Sequence, residues 1–163
     1  MAPTAPTTAP PPLYVLDTNV LIFYSRGKEA TYELLEAEYQ FSMQWAACFV
    51  SVVTIAEVES FMRQQGWGPR RIDAARTDIL SKVLAIDISH TDEALLDAYV
   101  VIDNASRANR RGAIAMGKND LWIAATARVL SATLVTTDKD FDHLHGTLIT
   151  RHYIDQQHGV VVK

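Results

Sequence analysis

Apolar positions along the chain alternate between two spacings, one typical of strands and the other of helices. Short apolar runs rich in β-branched and aromatic residues predict five strands, at residues 13–16, 48–53, 83–88, 133–136 and 148–154. Apolar residues three and four positions apart predict helical segments between them, at residues 18–24, 28–40, 54–65, 69–82, 90–107, 120–130 and 141–144. This alternation favours an α/β fold with a mainly parallel sheet covered on both faces by helices.

The composition indicates one folded domain behind an unusual first segment. A chain of 163 residues with 48% hydrophobic content is long enough for a single sizeable core. Residues 1–12 hold five of the six prolines and no charged side chain, which predicts a flexible, extended leader. We therefore expect a disordered leader at 1–12, one domain at 13–155 and a C-terminal tail at 156–163.

Charge and cysteine content narrow the possible functions. The formal net charge of −4 argues against a generally basic protein that coats nucleic acid. Cys48 is the single cysteine, which excludes an intramolecular disulfide and a cysteine-based metal site. The sequence offers neither a charge-free stretch long enough for a membrane span nor a basic start followed by an apolar core. We expect a cytoplasmic protein with no membrane partner.

Four acidic residues stand at predicted junctions between a strand and a helix, each within a short apolar frame: Asp17, Glu57, Asp120 and Asp138. Ligands of open α/β sheets bind beyond the carboxyl ends of the strands, so these side chains are expected to converge. Crowded carboxylates repel one another, and a hard divalent cation such as Mg²⁺ or Mn²⁺ neutralises them. The arrangement predicts metal-assisted hydrolysis of a phosphate ester.

Each acidic residue also has a purely structural interpretation. Asp17 is suited to cap the following helix, and Thr54 with Glu57 has the spacing of a capping box. Asp120 lies where a helix dipole favours an acid, and Asp138 lies in a turn, where aspartate is common. The occurrence of all four at corresponding positions favours a common site over four separate caps.

The frames of these residues resemble, in order, the motifs of the PIN-domain nuclease family: LDTNVLI, SVVTIAEV, NDLWIAATA and LVTTDKDF. The resemblance covers about residues 13–150, and the third motif is similar in particular to VapC-type toxin ribonucleases of toxin–antitoxin pairs. It implies a three-layer α/β/α sandwich and Mg²⁺- or Mn²⁺-dependent endonucleolytic cleavage of RNA. It also implies a homodimer that a small antitoxin protein blocks.

By this resemblance, Asp17, Glu57, Asp120 and Asp138 correspond to the acidic, metal-binding catalytic residues. We assign the primary role to Asp17 and Asp120, and a second-metal or outer role to Glu57 and Asp138. The fourth motif also contains two further aspartates, at positions 140 and 142. We favour Asp138 because it directly follows Thr136 and Thr137 and lies closest to the end of the apolar strand.

Three other interpretations stay open. A phosphatase or dehalogenase with an aspartyl nucleophile typically has a second acid two residues after the first, where this chain has Asn19. A zinc hydrolase would draw its ligands from the four C-terminal histidines, His143, His145, His152 and His158. The third alternative keeps the same fold, either as a noncatalytic RNA-binding or protein-docking module or as an RNA-processing nuclease without an antitoxin.

Overall fold

A computed structural model describes residues 11–26, 30–89, 92–109 and 116–163. Within these residues a six-stranded sheet has the order β3-β2-β1-β4-β5-β6, and β6 alone runs antiparallel to its neighbour. The strands are β1 (Tyr14–Leu16), β2 (Cys48–Ser51), β3 (Leu84–Ile86), β4 (Thr133–Thr136), β5 (Thr150–Asp155) and β6 (Val160–Val162). The predicted leader falls almost wholly outside the described residues.

Helices cover both faces of the sheet. They are α1 (Thr18–Arg26), α2 (Ala30–Tyr39), α3 (Val52–Gln64), α4 (Pro69–Lys82), α5 (Glu93–Ala108) and α6 (Lys118–Val129). Short 3₁₀ helices occupy Phe41–Met43, Trp45–Ala47 and Lys139–Leu144. Of the helices described, none combines the length and the apolar character needed to cross a membrane.

Alternation along the central strands divides the core into two layers. Val15 of β1 is paired in register with Leu134 of β4, and both pack in the cluster formed with α5 and α6. The next residues, Leu16 and Val135, point to the opposite face and pack with α1, α2, α3 and α4. Successive side chains of a strand point to opposite faces, so two buried layers follow, and the α/β/α sandwich is confirmed.

The chain winds away from β1 in both directions. β1 pairs in parallel with β2 on one side and with β4 on the other. The order of strands therefore reverses at β1 and β4, and this is where the carboxyl ends of an open α/β sheet leave a crevice.

Tertiary pairing moved several predicted boundaries. α4 and β4 have the predicted bounds, whereas the second strand ends at Ser51 because Val52 and Val53 already belong to α3. β-branched residues suit strands but also occur in buried helical turns, so the run of apolar residues hid this junction. β6 was not predicted, and its pairing with β5 is what orders it. The predicted helices at 28–40 and 90–107 begin on residues that lie outside the described ranges.

Candidate active site

All four predicted acidic residues line a single cavity of about 390 Å³. Asp17 directly follows β1, and Asp138 lies two residues beyond β4. Glu57 projects from α3, the helix after β2, and Asp120 from the first turn of α6. The cavity lies at the crevice where the strand order reverses.

Hydrogen bonds fix Asp17 between the two central strands. Its main-chain N–H donates to the carbonyl of Val135, at 3.1 Å. The Thr136 hydroxyl donates to Oδ2 and the Thr18 N–H donates to Oδ1, each at 2.7 Å. The residue is 5% exposed, so its carboxylate holds one orientation inside a rigid frame.

Glu57 connects three helices. The Thr18 hydroxyl donates to its Oε2, and the Asn119 side-chain amide donates to its Oε1 at 2.6 Å. The capping-box interpretation is wrong, because Thr54 is the third residue of α3 and the N-cap is Ser51. The carboxylate therefore belongs to the cleft and not to the start of its own helix.

The position of Asp120 depends on a neighbouring glycine. Gly117 is the N-cap of α6, and a Cβ at this residue would lie 2.7 Å from Asp120 Oδ2. Real Cβ atoms essentially never approach an oxygen so closely, so any other residue at 117 displaces the carboxylate. Asn119, the residue before Asp120, donates its side-chain amide to Glu57.

The three aspartates after β4 have different surroundings. Asp138 lines the cleft, and its Oδ1 accepts from the Asp140 N–H at 2.8 Å, while its own N–H donates to Thr136 Oγ1 at 2.9 Å. Asp142 forms an ion pair with Arg151, at 2.5 Å. Thr136 thus holds both Asp17 and Asp138, a role that nothing in its sequence context had indicated.

Burial and crowding raise the pKa of two of the carboxyl groups. Loss of solvent raises the pKa of Asp17 to about 6, against its hydrogen bonds, and the carboxylates of Asp138 and Glu57 add to the increase. Loss of solvent also raises the pKa of Asp120 to about 7, with further contributions from Asp17, Asp138, Glu57 and Asp140. The cleft therefore carries negative charge that a cation would stabilise.

The donor chemistry fits a hard divalent cation, which prefers carboxylate oxygens. Within the described residues, however, no three His, Cys, Asp or Glu side chains are grouped closely enough to hold a metal ion. Both carboxylate oxygens of Asp17 and of Glu57 instead accept hydrogen bonds from protein groups. The cleft thus supplies a suitable set of oxygens, oriented here toward protein donors.

The histidines predicted as an alternative zinc site do not form one group. Each bonds to a different partner: His143 to Ser106, His145 to the Arg151 N–H, His152 to Tyr39 and His158 to Asp155. A larger cavity of about 640 Å³ lies near the amino ends of β4 and β5, and none of the predicted site residues lines it. Neither the histidines nor the larger cavity forms an alternative site from the predicted residues.

A mainly parallel sheet with an acidic cleft at its switch point defines an α/β domain that binds its ligand at the carboxyl ends of the strands. Residues 14–146 match the PIN domain. The chain belongs to the PIN-domain family, a family of nucleases, which confirms the resemblance seen in its motifs.

Three solved structures with the same fold each match 85% or 86% of this chain. VapBC-1 from nontypeable Haemophilus influenzae has a TM-score of 0.64 at 23% identity, covering 86% of this chain and 97% of that one. DNA-bound VapBC from Salmonella typhimurium has a TM-score of 0.64 at 20% identity, covering 86% and 96%. VapBC2 from Rickettsia felis, bound to a promoter DNA fragment, has a TM-score of 0.60 at 23% identity, covering 85% and 98%. No curated protein matches the sequence.

Proposed function

We propose that this chain is a Mg²⁺- or Mn²⁺-dependent endoribonuclease and the toxin of a toxin–antitoxin pair, acting in the cytoplasm as a homodimer. The observation that carries the proposal is the convergence of Asp17, Glu57, Asp120 and Asp138 on one cleft in a PIN-family chain. These residues come from four separate elements, so independent helix caps do not account for their meeting.

Asp17 and Asp120 are the residues proposed to hold the cation, with Glu57 and Asp138 in the second or outer role. A bound divalent cation supplies an activated water and stabilises negative charge on the phosphoryl oxygens. The chain contributes orientation: Thr136 and Thr18 hold the Asp17 carboxylate, and Thr18 and Asn119 hold that of Glu57. Rigid placement of acidic oxygens is what an electrostatically assisted reaction requires from its protein.

Protons compete with the proposed cation for the carboxylates of the cleft. Metal ligands must be deprotonated, so a carboxyl whose pKa lies near 7, such as that of Asp120, releases its proton when a cation binds. We expect affinity for Mn²⁺ to increase between pH 6 and pH 8 for this reason.

The toxin role rests on the kind of proteins that share the fold. The three similar structures named above are VapBC complexes, two of them bound to DNA. We propose that an antitoxin inhibits this chain by inserting a basic side chain into the acidic cleft. Arginine suits this task because its guanidinium pairs bidentately with a carboxylate and replaces the charge of a metal ion.

A cleavage assay tests the catalytic part of the proposal. The purified chain is incubated with total RNA and Mg²⁺ or Mn²⁺, and the ends of the fragments are mapped. Cleavage should stop when EDTA removes the cation, and an Asp120→Asn preparation controls for contaminating ribonuclease. Absence of cleavage with either cation, from a folded and monodisperse preparation, would favour the noncatalytic alternative.

A further inference from the structure

One wall of the cleft is not acidic. Ser60, Phe61 and Gln64 of α3 line the same cavity as the carboxylates. Together with Glu57 they occupy positions three, four and seven residues apart, so they lie on one face of the helix. From Glu57 to Gln64 this stripe extends about 10 Å along the helix axis, a length comparable to one nucleotide.

Phe61 offers a fixed aromatic surface at this wall. Its ring packs against the core cluster below α3 and is only partly buried. The guanidinium of Arg26 lies 4.9 Å from the ring centroid, in cation–π geometry. Phe61 therefore brings an aromatic ring to the wall of the cavity, while Arg26, which contacts that ring, does not line the cavity itself.

Gln64 supplies directional polar groups at the far end of the stripe. Gln64 is exposed, and its Nε2 donates a long hydrogen bond, of 3.4 Å, to Ser60 Oγ. A primary amide has two donor hydrogens and an acceptor oxygen, which matches the edge of a nucleobase.

We propose that this wall binds the base of one nucleotide of single-stranded RNA, next to the phosphate that is cut. Phe61 packs against the base, and Gln64 forms hydrogen bonds with its edge. Single-stranded RNA is generally read by stacking and by hydrogen bonds to exposed base edges. The inference rests on the proposed function, because it assumes an RNA substrate, and it makes Gln64 a determinant of cleavage specificity.

The chain offers a matched pair of glutamines for the test. Gln64 lines the cavity, whereas Gln65 follows it as the C-cap of α3, is also exposed and does not line the cavity. Cleavage ends are mapped on an RNA pool of random sequence with Mn²⁺. Gln64→Ala should weaken the base preference beside the cut by roughly tenfold, in line with the loss of a bidentate base contact. Gln65→Ala should keep the wild-type preference.

A second measurement does not depend on catalysis. Uncharged ribonucleosides are titrated into the metal-free protein, and NMR follows the Gln64 amide and the Phe61 ring. Both signals should shift with at least one nucleoside, and Phe61→Leu, which keeps apolar packing, should weaken this binding severalfold. Unchanged base preference in Gln64→Ala, or nucleosides that leave α3 unperturbed, would overturn the assignment. A wild-type chain that cuts no RNA would instead contradict the proposed function, and the nucleoside titration would still test the wall.

Discussion

At the scale of single residues, Asp17 and Asp120 are, among the described carboxyl groups, the two whose pKa values are raised to about 6 and about 7. Asp17→Asn and Asp120→Asn are each expected to abolish metal-dependent RNA cleavage, because an amide cannot replace an anionic oxygen toward a cation. Circular dichroism should show an intact fold in both variants. If both variants cleave RNA at the wild-type rate, neither residue is catalytic.

The same two residues set the pH dependence of stability. Their pKa values are raised in the folded protein, so between about pH 4 and pH 7 the folded state binds more protons than the unfolded state. The contribution of these two residues to the free energy of unfolding must therefore fall as pH rises through this range. Ionisation of Asp17 lowers the free energy of unfolding by up to about 3 kcal/mol across this range, since one pKa unit corresponds to about 1.4 kcal/mol. The less buried Asp120 lowers it by less for each unit of its pKa shift.

Urea denaturation of the metal-free protein at pH 5 and pH 8 measures this effect. Asp120→Asn should show a smaller difference between the two pH values and should be at least as stable as wild type at pH 8. Burial lowers the pKa of His152, which acts in the opposite direction, but both proteins contain it and the comparison cancels it. If the free energy of unfolding changes equally between pH 5 and pH 8 in the two proteins, the ionised carboxylate of Asp120 does not destabilise the fold.

Gly117 provides a substitution that separates folding from site geometry. Gly117→Ala is expected to leave the melting temperature nearly unchanged, because φ −59° and ψ 148° suit alanine and only the end of the Asp120 side chain must move. Displacement of that carboxylate should weaken Mn²⁺ binding by roughly 10- to 100-fold. Isothermal titration calorimetry and thermal melts measure the two effects.

Gly68→Ala is the control for this change. Gly68 is also an N-cap, of α4, with φ −74° and ψ 160°, and a Cβ there would meet nothing within 4 Å. It should alter neither the melting temperature nor Mn²⁺ binding. If Gly117→Ala binds Mn²⁺ as tightly as Gly68→Ala does, the close approach to Asp120 has no functional consequence.

At the scale of elements, the connection between β4 and β5 separates two neighbouring aspartates. Asp142→Asn should lower stability by about 1–3 kcal/mol, because it removes the charged partner of the buried Arg151. Activity per folded molecule should remain. Asp138→Asn should keep the stability of the wild type, since its amide oxygen still accepts from the Asp140 N–H. It should lose activity, because the cleft loses an anion.

Chemical denaturation and RNA cleavage, measured on both variants, test this contrast, with the exposed Asp140→Asn as a further reference. An inactive Asp142→Asn alongside an active Asp138→Asn would mean that the fourth motif is aligned one helical turn out of register. The sequence by itself placed all three aspartates in the same motif. The ion pair with Arg151, nine residues further on, is what distinguishes them in the folded chain.

At the scale of the whole molecule, the proposed toxin role predicts an inhibitory partner, for which the acidic cleft is the expected target. Co-expression with the adjacent open reading frame should yield a copurifying small protein, and the complex should cleave RNA far more slowly than the free chain. Changing a basic side chain of that partner to alanine should restore cleavage if it occupies the cleft. Size-exclusion chromatography of the free chain tests the proposed homodimer.

Non-toxic expression of the intact chain, without a copurifying neighbour, would contradict antitoxin control. Cleavage of a defined RNA under those conditions would favour the RNA-processing alternative. The noncatalytic alternative would require a folded chain that binds RNA and leaves it intact with either cation.

The sequence by itself determined the fold class and the four acidic positions. Strand and helix periodicities are local properties of the chain, and each acid is marked by its own short frame, so both are readable without tertiary structure. Only the tertiary structure decided how the acids are held. The bonds to Glu57 from Thr18 and Asn119 join residues 39 and 62 positions apart, and that from Thr136 to Asp17 joins residues 119 apart. Contacts at such separations depend on the strand order, which no local pattern specifies, and the same is true of the wall formed by Phe61 and Gln64 beside the cleft.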